Sequence, residues 1–596
     1  MSFYQGTRTS SLCTNWRVRL LVFLFAAAGL LLCVRLVHVQ WLGSQPFAEK
    51  ANRQRIFTEK IPARPGEILD RQGRLLASTI TSRSLFVVPE KIENPADVAR
   101  SIAGALELNP EELCEQIERR RDKKFLWIKR RLTEGEVAAV RALNLPERAW
   151  GFREEYLRKY PQGVLAAHVI GLRDVDGVGR GGLEQSLDAQ LRGEDGSRMV
   201  VRDARGRVID VLDEVTKPPQ PGETAVLTLD VVVQLFVERE LEQVMEEWKP
   251  SAACAIVMDP RTGDIIAMAS RPTFDPNNPV NVPDAAWKNT AIASMYEPGS
   301  TFKPFIVSAA IDKGVLDPHE SFDCEHGSYK MGSRVLHDEH HYGELSVTDI
   351  LVKSSNIGMA KIGERLKNEG LYQAAITFGF GRPTGSELPG ELGGMLHPLR
   401  NWTSYSTGSV PMGQEIAVTP LQMIVAHCAL ANSGVLRSPR LVLREADLSP
   451  LSSDVAAPGA PSTSLVTRTV SADAADWVVR EPMVEVVKRG TGKKAQLDGY
   501  LVFGKTGTAQ KMDPKTGKYS TDKHVSSFLC GAPAEDPRAL VLVVVDEPSV
   551  GGTHYGGTIA APAAASILQQ TLVYLRVPSK DVPLRSAERG AENDSE

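Results

Sequence analysis

Apolar and polar positions divide the chain into segments of different period. Leu20 to Val34 (LLVFLFAAAGLLLCV) carries no charge, and the apolar run resumes after Arg35 and continues to Leu42. The uncharged core alone is short for a bilayer. The stretch 20–42 reaches the ~20 residues that a spanning helix needs, with Arg35 able to snorkel and Trp16 and Trp41 suited to the interfaces. Arg8, Arg17 and Arg19 precede it, and no acidic residue does. Cations on that side keep residues 1–19 in the cytoplasm and send the rest of the chain out. A cleaved signal peptide is the competing reading. Ala26-Ala27-Ala28 lies inside the apolar run rather than at its polar end, which favours an uncleaved anchor.

Residues 43–60 are polar and mixed in charge, a juxtamembrane helix or connector. Residues 61–77 (IPARPGEILDRQGRLLA) read as a turn, a short strand, a tight Asp-Arg-Gln-Gly turn and a second strand. Over 94–150, Pro95 and Asn109-Pro110-Glu111-Glu112 open two helices, because proline and acids suit a first turn. The charged run Glu118 to Lys124 reads as a solvated helix face, with a patch for an anionic lipid or glycan partner as the alternative. Residues 152–213 alternate strands and turns and end in a hairpin about Arg205-Gly206. The glycines at 177–182 are loop rather than phosphate cradle, since no buried parallel strand precedes them.

Lys217 to Gly222 (KPPQPG) is a linker. AVLTLD after it reads as a strand, and Val231–Trp248 repeats apolar residues at helical spacing. Ala252–Met258 and Asp264–Ser270 are strands joined by the turn Asp259–Gly263. Residues 445–466, rich in Ser, Ala and Pro, read as a surface insertion, and the tail from Pro578 as disordered. The pattern is α+β. It gives a cytoplasmic tail (1–19), a transmembrane anchor (20–42), an outer N-terminal region (43–221), a main domain (222–577) and a tail (578–596).

Composition adds limits. The 596 residues are 42% hydrophobic and 24% charged, which is globular, and the length suits three to four domain-sized units. A net charge of −4 gives no overall field toward nucleic acid. The seven cysteines are scattered and odd in number with no CxxC pair, so no disulfide scaffold is expected. Cys254 and Cys530 fall in apolar strands and read as small core residues. No cofactor-binding pattern is present in the sequence as read.

The chemistry gathers on Glu297-Pro298-Gly299-Ser300-Thr301-Phe302-Lys303-Pro304-Phe305. Pro-Gly halts the chain before a helix-compatible run, so Ser300 stands at a helix N-terminus, with Lys303 on the same face of the first turn. A serine hydroxyl attacks poorly without a base, and a desolvated lysine serves as one because its pKa falls. Alone the spacing is weak. Two further clusters follow, Lys353-Ser354-Ser355-Asn356 and Gly504-Lys505-Thr506-Gly507-Thr508, with Ser354 and Lys505 placed 54 and 205 residues after Ser300. The second sits at the end of an apolar strand, Tyr500 to Phe503, beside which a later strand, Ala539 to Val545, can pair. Ser354 can relay a proton. Asn356 can bind Lys303 and a substrate amide. Lys505 adds positive charge, Thr506 and Thr508 can bind a carboxylate, and Gly507 would let substrate approach the strand edge.

Ser300-x-x-Lys303, Ser354-x-Asn356 and Lys505-Thr506-Gly507 are, in order, the motifs of the penicillin-recognising serine transpeptidases and serine β-lactamases. RPGEILDRQGRLLA at 64–77 resembles a signature of class B penicillin-binding proteins. So do Gly182-Leu183-Glu184, the Gly413 to Gln422 stretch, and Tyr555-Gly556-Gly557 with Ala561-Pro562. The resemblance covers about residues 17–575. It implies an anchored protein with an elongated pedestal and an α+β transpeptidase domain outside the membrane. It also implies attack of Ser300 on a D-Ala–D-Ala bond, an oxyanion hole of the Ser300 and Thr508 amides, acylation by β-lactams, and membrane glycosyltransferase partners. Pro65 stands where the family usually has glycine. No glycosyl-transferring domain is visible, which favours class B, and the moderate pedestal leans to the cell-division rather than the elongation type.

Cys324, His337 and His340, in a segment dense in metal-ligand types, are zinc candidates; without paired spacing the segment reads as a polar loop with no metal. Met295, Tyr296 and Tyr555 read as packing, with a substrate wall as the alternative. Competing functions are a β-lactam sensor or hydrolase, a D,D-carboxypeptidase, and a catalytically silent scaffold. Slow turnover of bound penicillin separates the hydrolase, product analysis the carboxypeptidase, and intact motifs argue against the scaffold.

Overall fold

The structure is a computed structural model that describes residues 12–42, 56–146, 148–202, 208–444, 466–513 and 516–579. The connector up to residue 55, the hairpin tip about Arg205-Gly206, the insertion at 445–465 and the tail from residue 580 lie outside the described residues. Chain contacts separate two compact units, 1–64 with 193–221, and 65–192 with 222–596.

In the first unit, a helix runs from Leu12 to Val37 and a π-helical turn extends it to Leu42. Its 25 residues Trp16–Gln40 are long and apolar enough to cross a membrane, and Leu, Val and Phe side chains are exposed all round it. A helix apolar on every face has no water-facing side. The same unit holds a three-stranded antiparallel sheet in the order Ile56–Ile61, Gly196–Arg202, Val208–Lys217. The last two strands are the hairpin expected from the alternation there.

The second unit begins with the short strand Ile68–Leu69 and then a long strand, Leu75–Val87, that pairs with both Leu126–Leu132 and Trp150–Lys159. Helices Pro95–Leu106 and Pro110–Arg119 start at their prolines, and the Asn109 side chain accepts from the Glu111 and Glu112 amides. Glu184 is wholly buried between Arg158 and Arg173, each 2.6 Å away. The Asp70 of the Asp-Arg-Gln-Gly turn is also buried. It accepts from the Gln72 and Arg74 amides at 2.9 and 2.8 Å, and from the Val231 amide at 3.1 Å. That turn therefore caps the helix α1 (Val231–Trp248), in addition to the cap from Asp230.

The centre of the unit is an antiparallel sheet of β1 (Ala252–Met258), β2 (Ile265–Arg271), β3 (Phe503–Met512), β4 (Tyr519–Ala532) and β5 (Ala539–Asp546), in the order β2-β1-β5-β4-β3. Alternate residues feed opposite cores. Ala253, Ala255, Val257, Val541, Val543 and Val545 face α1 and α6 (Ala561–Tyr574), while Cys254, Ile256, Met258, Leu540, Leu542 and Val544 face a second cluster. That second cluster receives α2 (Lys303–Asp312) through Phe305 and Ile306, with Phe302 just before it, and α5 (Pro420–Ala431), whose residues are all buried. Cys254 and Cys530 are core residues.

Three expectations are corrected. AVLTLD contributes only Ala225–Val226 as strand, because its partner Ile68–Leu69 is itself two residues long before the Asp70 turn. The Lys505-Thr506-Gly507 cluster lies inside β3, which starts at Phe503, rather than at a strand's end. β3 pairs with β4, and Ala539–Asp546 pairs with β4 on its far side, so those two strands are not neighbours.

Candidate active site

Ser300 sits in a 3-10 turn, Gly299–Phe302, that runs into α2 at Lys303. Phe302 and Phe305 anchor the turn in the core, their rings 5.6 Å apart, and the Thr301 hydroxyl donates to the Pro298 carbonyl at 2.7 Å. Gly299 has φ +55° and donates its amide to the Gly413 carbonyl at 3.1 Å. A Cβ at Gly299 would come within 3.0 Å of the Thr508 carbonyl oxygen, so the nucleophile turn lies directly against β3, the edge strand.

The second motif is a junction between α3 (Val347–Lys353) and α4 (Asn356–Thr377). Ser354 ends α3 at φ 60° and ψ 38°, a left-handed conformation costly for a side chain with a Cβ. Lys303 Nζ holds it there by donating to the Ser354 and Ser355 carbonyls at 2.6 and 3.2 Å. Ser355 caps α4, its hydroxyl accepting from the Gly358 amide at 3.0 Å.

The motifs converge on one oxygen. Ser354 Oγ lies 2.8 Å from Ser300 Oγ, 3.2 Å from Lys303 Nζ and 3.1 Å from Lys505 Nζ. Asn356 Oδ1 accepts from Lys303 Nζ at 2.9 Å, and Asn356 Nδ2 donates to the His337 carbonyl at 3.3 Å. Both lysines are fully buried. Burial pushes Lys303 down to about 7, against the opposing charge of Asp338. Burial and then the charge of Lys303 push Lys505 well below the usual lysine range.

Ser300, Ser354, Asn356, Thr506 and Thr508 line one cleft of about 530 Å³, with Glu339, His340, Gln414, Lys493, Lys494 and Tyr555 around it. Thr506 Oγ1 is 2.8 Å from Thr491 Oγ1, and Thr508 Oγ1 accepts from the Gly556 amide at 3.2 Å. Tyr555 is thus a cleft wall. Met295 and Tyr296 line a neighbouring apolar cavity of about 560 Å³ instead.

Gly507 is corrected. Its missing Cβ would meet Ser527 Oγ at 2.4 Å, the Thr301 methyl at 2.9 Å and the Pro298 carbonyl at 3.1 Å. The glycine makes room for the nucleophile turn, not for substrate. The zinc candidates are also placed otherwise. Cys324 Sγ is buried and lies near the Phe322 carbonyl and Ser355 Oγ, at 3.8 and 3.5 Å, while His340 lines the cleft. Among the described residues no group of three or more His, Cys, Asp or Glu could hold a metal ion, so Cys324, His337 and His340 form no such centre.

Sequence reasoning missed Asp338, which accepts from Ser355 Oγ at 2.6 Å and from the Asn356 and Ile357 amides. It lies within the segment weighed for zinc, and its helix-capping use had no local signal, being 17 residues from Ser355. Also missed were Thr491 and the direct backing of Gly299 by Gly413.

Known proteins match along most of the chain. Residues 253–569 match the family described as penicillin binding protein transpeptidase domain, and residues 60–227 the penicillin-binding protein dimerisation domain. The probable peptidoglycan D,D-transpeptidase PenA of Neisseria gonorrhoeae is 34% identical over 579 residues, covering 96% of this chain and 95% of its own. The peptidoglycan D,D-transpeptidase FtsI of Escherichia coli K12 is 29% identical over 559 residues, covering 93% and 91%. Penicillin binding protein 3 of Mycobacterium tuberculosis, solved in complex with aztreonam, superposes with a TM-score of 0.65 at 29% identity, covering 87% of this chain and 98% of that one. With both families matched in order and a relative of this identity spanning nearly its whole length, the chain belongs to the class B penicillin-binding proteins.

Proposed function

We propose that this chain is a peptidoglycan D,D-transpeptidase working through a serine acyl-enzyme. The observation that carries the reading is the position of Ser354 Oγ, in hydrogen-bond reach of Ser300 Oγ and of two buried lysines. With Lys303 neutral, the Ser300 proton can pass through Ser354 to its amine while Ser300 Oγ attacks the penultimate D-alanine carbonyl. The Oγ–C bond forms, the amide C–N bond breaks, and the relayed proton goes to the departing D-alanine nitrogen. An amine of a second stem peptide then attacks the ester. The new amide forms, the Oγ–C bond breaks, and the amine's proton returns to Ser300 Oγ.

Thr506 and Thr508 with Lys505 would bind the terminal carboxylate, and Asn356 would position Lys303 and the substrate amide. The amides of Ser300 and Thr508 would hold the oxyanion, a donor pair whose loss costs about 2.7–4 kcal/mol for each member in comparable sites. The closeness of Gly299 to the Thr508 carbonyl supports that pairing. An acyl peptide would add to the free edge of β3. A strained cyclic amide that resembles D-Ala–D-Ala would acylate Ser300 in the same way, which is how β-lactams would inhibit.

Three finer assignments belong to the same proposal. The helix over 16–40 anchors the chain with its Arg-rich N-terminus in the cytoplasm, and the transpeptidase domain begins near residue 222, outside. The moderate length of the N-terminal region supports a septal rather than an elongation role. A membrane glycosyltransferase supplies the glycan. A fluorescent fusion concentrated at division sites is expected, and uniform lateral label would reverse the septal assignment.

The test of the central reading is covalent labelling of the full chain in detergent by a fluorescent penicillin. Stable label on the wild type and none on Ser300→Ala is expected. Rapid loss of label would make it a hydrolase, and no label on folded wild type would leave a scaffold.

A further inference from the structure

We propose that Lys493 and Lys494 select the acceptor strand by holding a carboxylate of the stem peptide whose amine receives the acyl group. This rests on the transpeptidase reading above. Microscopic reversibility sets the geometry: the incoming amine attacks the acyl carbon from the position the D-alanine nitrogen has vacated. The rest of the acceptor must then run over the wall that the leaving residue faced, which begins at Lys505 and Thr506.

The residues beyond Thr506 on that wall are known. Thr491 is joined to Thr506 by the 2.8 Å hydroxyl contact, and Lys493, Lys494 and Gly557 continue the lining. A Cβ on Gly557 would come within 2.3 Å of the Thr491 carbonyl, so the two segments are in close backbone contact. The two lysines open a short 3-10 turn, Lys493–Ala495. That turn is pinned at both ends. Gly492 packs so closely on Phe528 that a Cβ would meet the ring at 3.1 Å, and Ala495 is wholly buried. Both lysine side chains are therefore left to the solvent side of a rigid turn, at the cleft.

Their charge is uncommitted. The adjacent cations Lys488 and Arg489 are paired with Glu485 and Asp349. Lys493 and Lys494 make no ion pair among the described residues, although both are exposed at the cleft, while the acids that line the cleft are Glu297 and Glu339. Two unpaired ammonium groups on one wall attract an anion. A stem peptide ending in D-alanine carries one at its C-terminus, whereas water, the competing nucleophile, does not. The lysines would thus raise the share of acyl-enzyme that ends as cross-link. They bear on the second half-reaction because they stand on the wall the acceptor would cover, away from the three side chains that meet at Ser354.

The test uses the full chain in detergent and a donor peptide thioester. The partition of acyl-enzyme between water and a carboxylate-bearing amine acceptor is measured for wild type, Lys493→Ala, Lys494→Ala and the double variant. The same is done with the acceptor's carboxamide analogue. The double variant should lower the ratio of aminolysis to hydrolysis about ten-fold, as expected for losing two exposed charge contacts, with an unchanged rate of penicillin labelling. With the carboxamide acceptor, wild type and variant should give the same ratio. An unchanged ratio, or an equal loss with the carboxamide, overturns the assignment. So does loss of penicillin labelling in the variants alone, which would move the lysines to the donor half-reaction. Absence of labelling in the wild type would instead sink the transpeptidase reading.

Discussion

Asp338 Oδ2 accepts a hydrogen bond from Ser355 Oγ at 2.6 Å, while its other oxygen takes the Asn356 and Ile357 amides. The carboxylate closes the N-terminus of α4, where free amides and the helix dipole favour an anion. In doing so it braces the turn that holds Ser354 in a left-handed conformation beside Ser300. Asp338→Ala is expected to slow penicillin acylation by about ten- to a hundred-fold, the cost of a small misplacement of catalytic groups. It should also destabilise the fold by about 1–3 kcal/mol through the amides left without a partner. Stopped-flow acylation and denaturant unfolding of the same protein check both.

The lysine at the centre sets the pH dependence. Lys303 is held at about 7 by burial, so acylation should rise with pH through that value as the amine loses its proton. Asp338 pulls the same group upward, so Asp338→Asn should move the midpoint to lower pH. Lys303→Arg, cationic at every accessible pH, should abolish acylation. Penicillin labelling rates between pH 5 and 9 would decide it, and a flat profile in the wild type would remove Lys303 as the base.

The same shift appears in stability, with a definite sign. A lysine in the unfolded chain titrates near ~10.4. Between about 7 and there the folded state binds fewer protons, so stability rises with pH across that window, and the penalty of the buried charge is full below it. Lys303→Met should reduce the rise in melting temperature between pH 7 and 10, leaving the part that the buried Lys505 contributes with the same sign.

Glu184 tests the distant Arg158–Glu184–Arg173 cluster. Glu184→Gln leaves two buried guanidiniums facing a neutral amide and should cost about 3–5 kcal/mol of stability, because Arg158 loses its counter-charge without gaining water and Arg173 keeps only Asp188, at 2.9 Å. Well below its unfolding transition the variant should still label with penicillin at the wild-type rate, since no residue of the cluster lines the cleft.

Gly556→Ala tests the fit of the segment that covers β3. A Cβ there would meet the Ser527 and Gly507 carbonyls at 2.2 and 2.4 Å, so either the segment or the edge strand must move. Overpacking of this kind typically costs about 1–3 kcal/mol. The Gly556 amide would also leave Thr508 Oγ1, and slower acylation of the variant, measured with penicillin, is the expected result.

What the sequence by itself determined was set by local pattern. The apolar run at 20–42, the prolines and acid-rich turns that open the helices at Pro95 and Pro110, and α1 over Val231–Trp248 were all legible. Their signals lie within a few residues of the elements they define. The three motifs were legible too, because nucleophile, relay and lysine each have a chemical type that little else can replace. Tertiary structure decided what those residues meet. β4 stands between β3 and β5, an order that strand pairing over long sequence separation chooses and periodicity does not report. Gly507, read as room for substrate, is room for Thr301 and Pro298, since only the packed turn shows which face of the strand is crowded. Asp338 lies among residues that looked like metal ligands, yet it caps a helix that begins 18 residues later. The depressed basicity of Lys303 comes from burial, a property of everything packed around it and of no neighbour in the chain.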